Sequence, residues 1–245
     1  MKLLPALLLT LPTAIHAADT SWLELGSEWL HYDNGQPAST VTDLAASHSN
    51  TAGQTLYGSL AQQQRFGRRD ITLMAGAYLP LTDSGQLHLE TSASPDPQLK
   101  PRYTAYAGWY QALPQGWTLE PGVQSTHYQS LRVDRYSLAL ERYFSNWRIA
   151  YHIADVHVPG SSRLSQRAQA DFYYGESNRI GLGHAWGDDQ ESLPTGVITT
   201  PVSSFFVSGL HQLSEHVALL YSAQDNKQGS LYRSTGGRLG IRYSF

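Results

Sequence analysis

From Trp22 onward the chain alternates apolar and polar residues with period two between short turn clusters, and no stretch shows a comparable helical spacing. The last run is the clearest: Leu239, Ile241, Tyr243 and Phe245 share one face, and Arg238, Gly240, Arg242 and Ser244 share the other. Residues 147–154 set Trp147, Ile149, Tyr151 and Ile153 against Arg148, Ala150, His152 and Ala154. Residues 117–124 oppose Trp117, Leu119, Pro121 and Val123 to Thr118, Glu120, Gly122 and Gln124, and residues 71–79 repeat the pattern. The alternation predicts strands near 21–32, 39–48, 54–66, 70–80, 86–92, 103–112, 117–128, 133–143, 146–157, 163–174, 178–187, 202–212, 216–224 and 231–245. That is fourteen strands, with twelve as the alternative, in a single all-β domain.

The opening MKLLPALLLTLPTAIHA places Lys2 before an apolar Leu3–Leu11 stretch and ends in small residues. This is the pattern of a secretory signal peptide over 1–17, which leaves residues 18–245 as one barrel domain. Only 15% of the 245 residues are charged and 11% are aromatic, among them fifteen Tyr. A soluble domain carries about 25% charged residues, so this surface is built for something other than water. Beyond the leader, the basic residues are fourteen Arg and two Lys, a bias toward fixed, bidentate pairing. A formal charge of -3 excludes a dedicated nucleic-acid binder, and the lack of cysteine excludes disulfides, thiolate metal sites and a thiol nucleophile.

Alternation alone leaves open which face looks inward, because a soluble barrel hides its apolar face and a membrane barrel turns it to lipid. The polar faces here carry Arg, Glu, Gln, His and Gly and almost no Lys, which fits a paired interior. Large aromatics flank the tight turns, with Trp117 after LPQG and Phe144 and Trp147 around Ser145-Asn146. If strands run up and down, these turns fall on one side and form an aromatic girdle at a membrane interface. Lipid offers no hydrogen-bond partner, so a sheet that crosses it must close on itself. An even strand count then returns both termini to the periplasm, with the turns at 113–116, 144–146, 175–178 and 213–216. The segments near 93–102, 188–200 and 225–230 face outward. The expected fold is a single antiparallel transmembrane β-barrel of 12 to 14 strands in the outer membrane of a Gram-negative bacterium.

The motifs RFGRRD at 65–70, SPDP at 94–97, LPQGWTLEPG at 113–122, ERYFSNWRIAYH at 141–152 and GGRLGIRYSF at 236–245 occur in this order. In their sequence and spacing they resemble the YaiO-type outer-membrane β-barrel family, over most of the chain from about Trp22. The resemblance implies a surface-exposed outer-membrane barrel and transfers no reaction or substrate. In some relatives a tetratricopeptide-repeat segment precedes the barrel; this sequence has none, so roles that depend on such repeats are not implied. The ending also resembles the terminal signal that barrel-assembly machinery recognises, carried by Leu239, Ile241, Tyr243 and Phe245.

Three constellations bear on chemistry. Lipid-hydrolysing outer-membrane barrels carry His-x-Ser-Asn, whose one-residue spacer puts base and nucleophile on one strand face. Here His48 and Ser49 are adjacent in SHSNTAG, so a regular strand points them apart, and no catalytic residue is assigned. With apolar faces outward, Glu120, Arg135, Glu141, Arg148, His152, Arg167 and Asp171 point into the lumen on successive strands, as a salt-bridged filling or a charged constriction. His152, Asp155 and His157 have mixed parity and make a poor metal set. No glycine-rich loop opens a helix, so nucleotide binding has no support. The sequence therefore predicts no cofactor and a non-enzymatic barrel, structural or transport-associated, with a narrow or plugged polar lumen and surface-exposed loops, in contact with outer-membrane lipid. The alternatives are a lipid-modifying hydrolase, or an adhesin or phage receptor using the long segment Asp188–Pro201.

Overall fold

The computed structural model describes residues 20–245, with 176 and 194 left aside. Fourteen strands follow one another: β1 (Thr20–Tyr32), β2 (Ser39–Ser49), β3 (Thr55–Arg65), β4 (Arg68–Pro80), β5 (Gly85–Ala93), β6 (Tyr103–Ala112) and β7 (Trp117–His127) make the first half. β8 (Arg132–Phe144), β9 (Trp147–Val158), β10 (Ser161–Tyr174), β11 (Asn178–Leu193), β12 (Gly196–Gln212), β13 (Val217–Gln228) and β14 (Tyr232–Ser244) make the second. Each strand pairs antiparallel with its chain neighbours, and β14 returns to β1, so the sheet is a closed barrel. The seam runs from Trp22↔Ser244 to Tyr32↔Ser234. Its end is sealed by hydrogen bonds exchanged between the backbones of Ser21 and Phe245, at 3.2 and 2.9 Å. Fourteen is thus the strand number.

Closure decides what each face meets. Leu25, Leu60, Leu182, Phe205, Leu239 and Ile241 all lie exposed on the outer face, and Leu239 is 64% exposed. The alternate positions face inward: Glu24, Asp43, Gln63, Glu141 and Arg179 are buried, and Asp171 is 0% exposed. A polar residue with no solvent and an apolar one fully open is an inside-out arrangement, stable where the surroundings are hydrocarbon and costly in water.

The rim where β1 starts and β14 ends, here the terminal rim, also holds the β2–β3, β4–β5, β6–β7, β8–β9, β10–β11 and β12–β13 connections. The opposite rim holds the others. Its β3–β4 hairpin turns on two residues, Phe66 and Gly67, both at positive φ (50° and 69°), which matches the twist of the paired strands. Turn chemistry thus overrides the sequence-based gap at 67–69, and β3 and β4 meet in register as Arg65↔Arg68. The segment Asp188–Pro201, expected as a long outward loop, is instead hairpin: β11 and β12 stay paired from Asp188↔Pro201 to Leu193↔Gly196. Between Asp188 and Thr200 its Gly/Pro punctuation is confined to residues 194–196, where β11 gives way to β12, so the ladder continues up to that point.

The β5–β6 connection turns back toward the barrel. The Asp70 carboxylate on β4 accepts the backbone N–H groups of Gln98 (2.5 Å) and Leu99 (3.0 Å). Gln129 donates to Pro97 O at 2.6 Å. Beside these loops Val133, Ala154 and Val156, with Tyr128, Leu131 and Val158, form an apolar cluster on the lumen side of β8 and β9. In β7, Pro121 has no N–H to donate, and pairing with β6 lapses opposite Trp109 and Tyr110.

Because Leu60 is central on β3 and points outward, Leu60→Arg is expected to lower stability by about 2–4 kcal/mol, the cost of a guanidinium near the bilayer midplane. Reversible urea unfolding in phospholipid vesicles measures it.

Candidate functional site

The chemistry of a barrel with an apolar exterior lies in its lumen, where unpaired charges are expensive. The largest assembly sits on β8, β9 and β10. Arg148 holds Glu141 bidentately, Nη2 to Oε1 at 2.5 Å and Nε to Oε2 at 2.9 Å, and donates Nη1 to Asp171 Oδ2 at 2.7 Å. Register explains the meeting: Arg148 is directly opposite Asp171 across β9–β10 and opposite Tyr143 across β8–β9, one inward position from Glu141. Gln169 donates Nε2 to both Asp171 oxygens at 2.9 and 3.0 Å, and Tyr143 donates to Glu141 Oε2 at 3.2 Å. His152 Nε2 stands 3.6 Å from Glu141 Oε1, and Arg179 Nη1 stands 3.7 Å from Asp171 Oδ1. Arg167 donates to Gln169 instead of a carboxylate, and its guanidinium lies over the Phe206 ring at 4.7 Å. Three guanidinium groups, from Arg148, Arg167 and Arg179, therefore crowd two carboxylates.

Of the seven residues expected inside, all lie on inward positions, but they do not form one cluster. Glu141, Arg148, His152, Arg167 and Asp171 come together. Glu120 belongs elsewhere: its Oε1 is 2.8 Å from His88 Nδ1 and accepts Tyr106 OH at 2.8 Å. On the other ring nitrogen, His88 Nε2 meets Tyr57 OH at 2.8 Å, and Tyr57 donates to Glu90 Oε2 at 3.0 Å. The correction has a geometric cause. Glu120 is paired across from Ala139, one inward step toward the opposite rim from Glu141, and its side chain reaches back over β6 to β5 instead. Arg135 lies farther still along β8, near Val133 and the apolar cluster.

Two assemblies escape sequence reasoning. On β14, Arg238 Nη2 donates to Glu24 Oε1 and Asp43 Oδ2, each at 2.7 Å, and Arg242 Nη2 donates to Glu24 Oε2 at 2.8 Å. Gly26 makes room for this, since a Cβ there would lie 2.0 Å from Arg238 Nη2. Near the opposite rim Arg65 donates Nε to Tyr32 OH at 2.9 Å and Nη2 to Tyr232 OH at 2.6 Å, with its guanidinium 4.4 Å from the Phe66 ring centre. Tyr32 and Tyr232 meet edge to face at 5.0 Å.

The adjacent His48 and Ser49 point to opposite faces. His48 Nδ1 pairs with Ser21 Oγ at 2.9 Å outside, and Ser49 Oγ pairs with Thr55 Oγ1 at 2.8 Å inside. Trp117, Phe144 and Trp147 all take outward positions at the terminal rim, where Arg142 lies 5.2 Å over Trp117 and 5.7 Å from Phe144. Leu239, Ile241, Tyr243 and Phe245 likewise face outward and are exposed. Among the described residues no group of three or more His, Asp or Glu gathers as a metal site.

Truncating Asp171 leaves buried guanidinium charge uncompensated, so Asp171→Ala is expected to cost about 3–5 kcal/mol. Asp134→Ala, at the exposed Arg132 pair, should change stability by less than about 1 kcal/mol. Urea titration of both variants in vesicles checks the contrast.

Comparison with known proteins bears on fold and family. No curated protein sequence matches this chain. Among solved structures, the CymD monoaromatic hydrocarbon channel aligns with TM-score 0.57 at 9% identity, over 93% of this chain and 88% of that one. The outer membrane protein Omp33 of Acinetobacter baumannii aligns with TM-score 0.56 at 10% identity, over 92% and 99%. The KdgM porin in complex with disordered oligogalacturonate aligns with TM-score 0.51 at 11% identity, over 91% and 99%. At such identities the likeness is one of fold. Residues 21–191, more than half of the sequence, match the YaiO membrane beta barrel domain, and the chain therefore belongs to the YaiO family of outer-membrane β-barrels.

Proposed function

We propose that this barrel is a non-enzymatic, transport-associated protein of the outer membrane that passes small polar solutes through a narrow, ion-paired lumen. The observation that carries the reading is the excess of guanidinium over carboxylate on the β8–β11 wall, where Arg167, among the described residues, donates to the Gln169 amide and to no carboxylate. A barrel that needed charge only as filler would be served by balanced pairs, as at Glu24, Asp43, Arg238 and Arg242. A surplus positive charge beside a water path attracts anions and sets selectivity. The channel and porin folds of the structural neighbours support passage as the general role.

In the same reading, the leader at 1–17, which lies outside the described residues, directs export and is removed. The terminal rim faces the periplasm, Trp117, Phe144 and Trp147 sit at the inner interface, and the outward row Leu239, Ile241, Tyr243 and Phe245 is what the assembly machinery engages. The hydrolase alternative loses its basis because His48 and Ser49 face apart. The adhesin alternative keeps an outward segment there, in the form of a paired hairpin with residues 188–193 against 196–201.

Purified barrel in planar bilayers is expected to give small conductance steps with a preference for anions. One charge about 8 Å from an ion in water is worth about 0.5 kcal/mol, of opposite sign for anion and cation, so Arg167→Ala should lower the anion-to-cation permeability ratio by about fivefold. The reversal potential in a potassium chloride gradient reads this. Absence of steps in the wild type identifies a plug and overturns the proposal.

A further inference from the structure

Between β13 and the β14–β1–β2–β3 wall, at the opposite rim of the lumen, lies a small cleft lined by Tyr32, Arg65, Gln224, Asn226, Gln228 and Tyr232, with Glu28 and two serines, Ser39 and Ser234, beside them. We infer that this cleft is a recognition site for an uncharged, polyhydroxylated solute of the saccharide class, entering from the cell exterior. The inference rests on the passage reading for its biological sense, and on the cleft alone for its chemistry.

The amides set the pattern. Gln224, Asn226 and Gln228 occupy alternate positions of β13, so they line the lumen in a row of about 14 Å at two residues per 6.8 Å step. Two are oriented from behind: Asn226 Oδ1 accepts Ser204 Oγ, and Gln228 Nε2 donates to Thr200 Oγ1 at 2.8 Å. These bonds assign the amide ends and leave Asn226 Nδ2 as a donor and Gln228 Oε1 as an acceptor. Gln224, nearest the middle of the barrel, keeps both ends. A row of alternating donors and acceptors matches vicinal hydroxyls, each of which donates once and accepts twice. Beside the cleft, Gln63 donates to Ser39 Oγ at 3.3 Å, and its Oε1 is buried with no protein partner.

Other ligand classes fit less well. An anion finds one guanidinium, Arg65, which already donates to two tyrosines and lies against Phe66, with the Glu28 carboxylate on the same lining. A cation meets Arg65. An apolar solute would strip the amides of water with no compensating bond. Leu30, on the same lining, supplies the apolar contact that a sugar's C–H face needs, while the edge-to-face tyrosines are buried against Phe66 and Arg65. The enclosed volume, about 50 Å³, holds three or four water-sized groups, so one hydroxylated edge enters while the rest of the solute lies in the lumen.

Equilibrium binding separates this site from the passage reading, since it needs no conductance. Titration calorimetry of the folded barrel in detergent, with maltotriose as the neutral probe and a galacturonate trimer as the anionic one, is expected to show saturable binding of maltotriose and weaker binding of the galacturonate. Gln224→Ala with Asn226→Ala should weaken maltotriose by about tenfold, the loss of two ordinary hydrogen bonds. Gln224→Met with Asn226→Leu keeps volume, and should do the same in a barrel whose heat-modifiable gel shift shows it folded. Lack of maltotriose binding, wild-type affinity in either folded double variant, or preference for the galacturonate overturns the inference. Binding without conductance steps would leave the site standing and remove the passage reading.

Discussion

Hydrocarbon cannot hydrogen-bond, and every other feature of this molecule follows from that. An unpaired backbone N–H or C=O inside a bilayer costs several kcal/mol, so the sheet has no tolerable edge and β14 must find β1. Once the sheet is closed, period-two alternation sorts side chains with no further instruction, residues such as Leu60, Leu239 and Ile241 to lipid and residues such as Glu24, Glu141, Arg148 and Asp171 to the lumen. The polar residues are then too many and too enclosed to stay unpaired, and the ion-paired lumen is the consequence of closure.

That pairing follows the wall. Glu141, Arg148 and Asp171 meet across adjacent strands, whereas Arg238 to Asp43, Tyr57 to His88, and His88 to Glu120 each reach over an intervening strand. Contacts that skip a strand require long side chains lying along the wall, which thickens the lining and narrows the space between walls. Small inward residues supply the room, as Gly26 does under Arg238 and Gly76 under Tyr57. Among the described residues the β12–β13 wall carries no such charge belt and presents amides and serines, a neutral strip in an otherwise charged lining.

How much was legible in the sequence depended on whether the deciding partner was local. Arg148 and Asp171 could be placed together because β9 and β10 form one hairpin and parity alone fixes their faces. Glu24 and Asp43 could not, because their partners Arg238 and Arg242 are joined to them only by the closing seam, 195 to 218 residues away along the chain. Glu120 shared parity with Glu141 but lies one step along the strand, and alternation fixes a residue's face while leaving its height to register. The extended β11–β12 hairpin was missed because polar residues such as Asp188, Gln190 and Thr199 resemble a loop, and outside the membrane a paired strand needs no apolar face.

The central claim is that odd positions of β14 face lipid and even ones face the lumen. The chain contains no cysteine, so single cysteines can be placed at 237–243 and spin-labelled without background. Their accessibility in reconstituted vesicles to oxygen, which concentrates in hydrocarbon, and to a water-soluble nickel chelate should then alternate. The account predicts high oxygen and low nickel accessibility at Leu239, Ile241 and Tyr243, with low oxygen accessibility at Arg238, Gly240 and Arg242. A profile without alternation, or with the opposite phase, contradicts it.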